Sequence, residues 1–214
     1  MNRQALHKLM QWLSPAYPVG AFSYSHGLEW VIAAGEVTDA GGLQAWLADI
    51  LQHGAGRNDA ILLAHAYRAE TDGERAEIAE LATALTPGAE RLLETTAQGA
   101  AFAKTTRKVW PAALPDTPYP VAVGAAARAH DIPLPETAAL YLHAFAANLI
   151  SAAVRFVPLG QTEGQTVLAN LTATIDATAD AALMAGLDDI GSCTFRADMA
   201  SMQHETMTTR IFRS

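Results

Sequence analysis

One run of residues limits what this chain can fold into more than any other. From Glu136 to Val157 it reads ETAALYLHAFAANLISAAVRFV, with Pro135 before it and Pro158 after it. The run is too long for a strand. Proline suits a first helical turn, where its missing N–H costs nothing, and blocks continuation at the far end. Apolar residues cover almost the whole circumference, which puts such a helix inside a bundle. Tyr141, Asn148, Ser151 and Arg155 interrupt them at intervals of seven, three and four residues, so they share one stripe. Two readings of that stripe stand: a strip that meets solvent or hydrogen-bonds to neighbouring helices, and a polar seam leading to a partner surface. The length also matches the roughly 20 residues that cross a bilayer. His143, Asn148 and Arg155 argue against a span, and the many alanines favour close helix packing in a soluble core.

A helix buried on all sides needs others around it, and 214 residues can supply them as a single domain, without disulfide or metal staples. Half of the residues (50%) are hydrophobic and only 17% are charged, so some apolar surface is expected to meet another chain. The net charge of -8 and the lack of a basic cluster before the last few residues speak against nucleic acid as a partner. Cys193 is alone, which excludes an internal disulfide and suits a reducing compartment. The N-terminal stretch has no signal-peptide core. A cytoplasmic protein is expected.

In chain order, Ala5, Leu6, Leu9, Met10 and Leu13 mark a first amphipathic helix ended by Ser14-Pro15. Two further constraints, Pro18 and Gly20, force a stiff turn, after which Ser23 or Ser25 can cap a helix running to about Ala34 and stopping at Gly35. Phe22, Tyr24 and His26 beside that bend are either core anchors or an exposed recognition knob. Thr38 or Asp39 caps a third helix through Leu51, and Asn58 and Asp59 open a fourth after Gly54 and Gly56. Glu74 to Leu85 reads as an outer helix. Pro87 to about Lys108 reads as a long one with Leu92, Leu93, Thr96, Ala100 and Ala103 inward, and Gly99 in its middle points to a close helix contact. The proline-rich stretch Trp110 to Pro120 is a linker, followed by a short helix from Val121 to Ala129. Beyond Pro158, Gln161 or Thr162 opens a helix to about Met184. Residues 186–214 are expected to be a partly extended tail with at most a short turn at Ala197 to His204. With no strand alternation over useful length, the fold class is all-α: a single-domain bundle of about eight to ten helices around a central apolar helix.

No phosphate-cradling glycine loop occurs, nor HExxH, CxxC or GxSxG. The histidines are scattered and none pairs with another at three or four residues, which argues against a closed metal site within the chain. The carboxylates fall on outer helices at spacings that suit solvated faces. The chain therefore reads as an interaction protein. Two other classes stay open: a helical enzyme whose fold gathers His26, Glu29 and His204 as acid, base or ligand, and a purely structural dimer.

Three blocks carry a resemblance. SPAYPVGAFSYSHGLE (Ser14–Glu29), NLISAAVRFVPLGQTEGQ (Asn148–Gln165) and DMASMQHETMTTRIFRS (Asp198–Ser214) resemble the opening, central and closing blocks of the urease accessory protein UreF family, in family order and across essentially the whole chain. Ala100-Ala101 and Gln203 stand where family members often carry a basic residue. The resemblance implies an all-helical, dimer-forming chaperone of urease maturation and not an enzyme. It would bind the scaffold protein UreD, also called UreH, and recruit the GTPase UreG so that nickel reaches apo-urease. Nickel would then be cargo and GTP would enter through UreG, with no cofactor bound by this chain alone. By position it nominates Pro18, Gly20, Phe22, Tyr24, His26, Glu29, Arg155, Gln161, Met202, His204, Glu205, Arg210, Phe212 and Arg213 as partner-binding residues. A homodimer is expected, motivated by the apolar excess and by Gly99. Met199, Met202, Met207, Ile211 and Phe212 show no regular face, so the closing segment is expected to order on UreD rather than on its own bundle. Deleting Thr208 to Ser214 is expected to spare helix content and dimerisation, to abolish the UreD complex and so to leave urease without nickel.

Overall fold

Pro135 opens the central helix as expected, but the helix ends at Ala153 rather than Val157, so Pro158 is not what stops it. In the computed structural model, which describes residues 2–214, Pro135 lies in the first turn of a helix over Leu134–Ala153, and the chain leaves it in a turn before Pro158. Numbered in order, the helices are α1 (Arg3–Trp12), α2 (Leu28–Ala33), α3 (Ala40–His53), α4 (Ala55–Arg68), α5 (Asp72–Ala84), α6 (Ala89–Val109), α7 (Tyr119–Ala129), α8 (Leu134–Ala153), α9 (Gln161–Asn170), α10 (Thr172–Met184) and α11 (Phe195–His204). Single 3-10 turns occupy Ala21–Ser23 and Leu187–Asp189. No strand occurs among the described residues, and the architecture is the expected all-α bundle.

Helix α8 is its hub. It packs against α10, α4, α9, α2, α3 and α7, burying Ala138, Leu142, Ala146, Leu149 and Ala153. Small residues set the spacing elsewhere too: α7 lies against α4 where Gly124 faces the Leu63 carbonyl, with no room for a Cβ. A second cluster of rings pins α1 to α6. Trp12 and Phe102, both fully buried, meet edge to face at 5.5 Å between centroids, and Trp110 closes on Trp12 at 5.8 Å. Among the described residues no helix is long and apolar enough to cross a membrane.

Local signals placed several boundaries. The Asp39 carboxylate accepts from the Gly42 N–H at 2.8 Å and starts α3, and Thr71 with Glu74 forms a reciprocal capping box on α5. Other expectations are corrected. Neither Ser23 nor Ser25 caps α2 as its N-cap; the consecutive left-handed residues His26 (φ 57°) and Gly27 (φ 74°) turn the chain into it. Helix α4 starts at Ala55, before Asn58, because Gly54 alone makes the break. The run from Gln161 to Met184 divides at Leu171 with neither glycine nor proline there. The segment after Gly191 forms a full helix, α11, packed on α2 and α6.

The largest correction concerns α6. Its inward face is Glu90, Arg91, Glu94, Gln98, Gly99, Phe102, Ala103 and Thr106, while Leu93 and Thr96 are exposed and Leu92 and Ala100 are half-buried. Of the residues expected inside, only Ala103 is fully buried. Gly99 does mark a close approach, but to the chain's own connector: a Cβ there would collide with the Thr117 carbonyl as Thr117–Tyr119 passes over the helix. That glycine is thus used up within one chain.

Candidate functional site

The carboxylates expected on solvated faces include three that are buried together. Glu29 comes from α2, and Glu90 and Glu94, one turn apart, from α6; they are 5%, 9% and 3% exposed. A buried carboxylate persists only when donors and cations surround it. Glu94 accepts from His26 Nε2 at 2.7 Å, Gln98 Nε2 at 2.9 Å and the Ser214 hydroxyl at 2.9 Å, and it forms an ion pair with Arg91. Burial pushes its carboxyl up, but the charges of Arg91 and His26 outweigh that and hold it at about 2. Burial lowers His26, with Arg91 acting in the same direction against Glu94. Its Nδ1 is buried and has no partner among the described residues.

The C-terminal segment closes the cleft. His204, fully buried, directs Nδ1 to Glu90 at 2.7 Å and Nε2 to Glu29 at 3.1 Å. The two Glu29 oxygens also accept the backbone N–H groups of Ile211 at 2.8 Å and Phe212 at 2.9 Å. Arg210 pairs with Glu90. Ser25 donates both its N–H and its hydroxyl to the Ser214 carbonyl, and Arg213 N–H donates to the Ser23 carbonyl at 2.7 Å. The Phe212 ring, 3% exposed, rests 5.6 Å from that of Phe156, with the Arg155 guanidinium 5.5 Å from its centroid. Glu205 accepts from the Ala89 N–H at 2.7 Å and so caps α6, whose N-cap Gly88 has no side chain to do it. The expectation that the closing segment gains little on its own bundle is overturned: the side chains of His204, Arg210 and Ser214 and the backbone N–H groups of Ile211 and Phe212 bind the buried carboxylates.

The three sequence blocks therefore meet in space. Of the nominated residues, His26, Glu29, Arg155, His204, Glu205, Arg210 and Phe212 belong to this cleft, and Arg213 joins it through its backbone. Tyr24 is buried beside it and its carbonyl accepts from Asn148 at 3.4 Å. Pro18 and Gln161 are exposed, Gly20 adopts φ 76° in the turn, and Phe22 (65% exposed) and Met202 point outward. The aromatic bend thus divides into one anchor and one knob. The polar stripe of α8 divides as well: Tyr141 and Asn148 bond inward, Ser151 and Arg155 are exposed. His26 and Glu29 do not pair with one another, since His26 turns to Glu94 and Arg91. No grouping of His, Cys, Asp or Glu among the described residues is arranged to hold a metal ion.

Sequence reasoning missed Asp59, Glu90, Arg91, Glu94, Gln98, Ser25 and Ser214. The signal was the spacing Glu90, Glu94, Gln98, one polar stripe on α6. On the side of Glu94 away from the tail lies a cavity of about 400 Å³, walled by Met10, Leu13, Phe22, Leu140 and Phe145. Asp59 opens onto it, accepts from the Tyr141 hydroxyl at 2.8 Å, and is pushed up to about 6 by burial, against the pull of Arg91. A carboxyl raised above its ordinary value of 3.8 favours the protonated folded state, so it stabilises as pH falls from about 6 toward 4 and costs stability above that window. Asp59→Asn is therefore expected to raise the melting temperature at pH 8 and to leave it nearly unchanged at pH 4.5, measured by calorimetry; a loss at pH 8 would contradict this assignment.

The sequence that builds this all-helical fold and its carboxylate cleft has close relatives among known proteins. The UreF family model matches residues 37–172. A urease accessory protein UreF of Cereibacter sphaeroides (strain ATCC 17025 / ATH 2.4.3) is 56% identical over 211 residues, covering 99% of each chain. One from strain KD131 is 58% identical, covering 98% of this chain and 99% of the relative. A UreF of Rhodopseudomonas palustris (strain BisB5) is 53% identical, covering 98% of this chain and 91% of the relative. The chain belongs to the urease accessory protein UreF family.

Proposed function

We propose that this chain is a urease maturation chaperone that binds UreD (UreH) and recruits the GTPase UreG, so that nickel reaches apo-urease. The observation carrying this reading is the 52–58% identity, over nearly the full length, to proteins named urease accessory protein UreF. In this reading the chain is not an enzyme and binds no cofactor of its own; nickel is cargo of the complex and GTP enters through UreG. It works in the cytoplasm as a homodimer, without nucleic acid or membrane. The apolar excess supports the dimer, whereas Gly99 no longer does.

The surface supports partner binding beside the sealed cleft. Phe195, Met199 and Met202 follow one another at four and three residues on α11 and are 72%, 48% and 47% exposed, an apolar stripe left largely open to solvent. Ile211, 71% exposed, lies in the docked segment itself. Because Ser214, Arg210 and Phe212 satisfy Glu94, Glu90 and Glu29 or pack beside them, deleting Thr208 to Ser214 would damage the fold and cannot test the partner. The sharper test is Phe195→Asp combined with Met199→Asp, which changes only exposed positions. Wild type should co-purify with UreD and UreG, and the double variant should keep its melting temperature while losing at least about 10-fold in UreD yield, the equivalent of about 1.4 kcal/mol. Failure of the wild-type chain to retain UreD would sink the proposal.

A further inference from the structure

We propose that the cavity beside Glu94 is a binding site for a small organic cation, an ammonium group carried on an aryl or alkyl body, with Asp59 as its anionic anchor and aromatic rings among its walls.

The argument begins with the charges that line the cavity. They are Asp59 from α4, Arg91 and Glu94 from α6, and His26 from the bend before α2. The Arg91 guanidinium pairs with Glu94, whose two oxygens are further occupied by His26, Gln98 and Ser214. His26 is lowered by its burial and by Arg91, so it supplies no compensating charge. Arg91 and Glu94 therefore cancel, and Asp59 is left over. It has no ion-pair partner among the described residues: Oδ2 accepts from the Tyr141 hydroxyl at 2.8 Å, and Oδ1 accepts no hydrogen bond from them. Arg91 acts on both carboxylates, yet Glu94 is held at about 2 while burial pushes Asp59 up to about 6. The fold compensates one carboxylate and turns the other, with its surplus negative charge, toward the cavity. A bound cation would remove that cost.

The walls select a cation with an apolar body. Tyr141, whose hydroxyl meets Asp59, has its ring 5.5 Å from that of Tyr119, and Phe145 meets the His26 ring edge to face at 4.8 Å. Aromatic faces attract a cation placed within about 6 Å of the ring centroid. Leu13 and Leu140 add aliphatic surface, and the exposed Met10 and Phe22 stand where a ligand body can cover them. A volume of about 400 Å³ suits a small molecule, whereas the four-carbon stem of a single lysine side chain would leave much of it unfilled. A divalent metal fits poorly, because it needs several ligating groups and no grouping of His, Cys, Asp or Glu among the described residues is arranged to provide them.

The site does not rest on the UreD reading and is tested without any partner, by calorimetric titration of the full-length chain at pH 8 with phenethylammonium. One ion per chain is expected to bind, on the order of 10-fold or more tightly than phenethyl alcohol, the neutral analogue that cannot make the charge-assisted bond. Asp59→Asn, which keeps the shape of the side chain and removes its charge, should bind the alcohol as the wild type does and lose the preference for the ammonium. Absence of saturable phenethylammonium binding, equal affinity for ammonium and alcohol in the wild type, or an undiminished preference in Asp59→Asn would each overturn the proposal. Nα-acetyl-lysine methylamide binding as tightly as phenethylammonium would overturn the small-molecule assignment in favour of a basic side chain from another protein. Nickel chloride alone displacing phenethylammonium stoichiometrically would overturn it in favour of a metal.

Discussion

Glu94→Ala is expected to lower the unfolding free energy by about 3–5 kcal/mol, read as a drop in the urea midpoint at pH 7. The size follows from what the carboxylate leaves behind. Arg91 loses its ion pair, His26 and Gln98 lose their acceptor, and the Ser214 hydroxyl loses its contact, all in a site nearly closed to water. Removing one member of a buried pair costs more than the pair contributes, because the remaining charge is stranded. The pH dependence adds a second signature. Glu94 is held at about 2, below its ordinary 4.5, so its contribution is present above about 4.5 and is lost as pH falls through about 2. The gap between wild type and variant should narrow across that window. A midpoint within experimental error of wild type at pH 7 would show that the cluster does not hold the fold.

Gly27→Ala is expected to be nearly as damaging for a different reason. The residue sits at φ 74°, where an L side chain is strained, and a Cβ there would stand 2.5 Å from the Ser201 nitrogen and 2.7 Å from the Ala200 carbonyl carbon, both backbone atoms of α11. Strain and overpacking together cost about 2–4 kcal/mol, or roughly 4–16 °C in melting temperature for a chain of this size. The damage should be directional. Helix α11 and the segment beyond it should lose hydrogen-exchange protection first, while α8 stays closed. Uniform loss across both, or none, would mean that α11 is not seated through this glycine.

These two sites also mark where sequence reasoning works and where it stops. Pro135 at the head of an apolar run, Asp39 before a helical pattern, and the proline-rich connector are local signals, and local backbone chemistry decides them. The inward face of α6 is not local. Hydrophobicity turns Leu92, Leu93 and Ala100 inward, yet the helix buries Glu90, Arg91 and Glu94, because their partners arrive from residues more than sixty positions away on either side. No propensity scale contains Ser214 or His204 as a neighbour of Glu94 or Glu90. The break at Leu171 was silent for a related reason: the packing of α9 and α10 on α8 and α3 sets it, and no special residue marks it. The closing segment looked irregular because its order comes from backbone donors and single side chains meeting carboxylates, which leaves no hydrophobic period to detect. Its likeness to known relatives preserved that information where periodicity could not.

The distance along the chain between these partners sets an order of events. Glu29 meets His204 across 175 residues, Glu90 meets His204 across 114, and Glu94 meets Ser214 across 120. Contacts this far apart in sequence form late, and during synthesis the N-terminal part folds first. The body of the bundle can therefore assemble while its carboxylates are still open to water, and the cleft closes only when the later-made residues 204–214 fold back on residues made well before them. Until residues 204–214 dock, Glu29, Glu90 and Glu94 face water, and the bundle presents an anionic face in place of the sealed one.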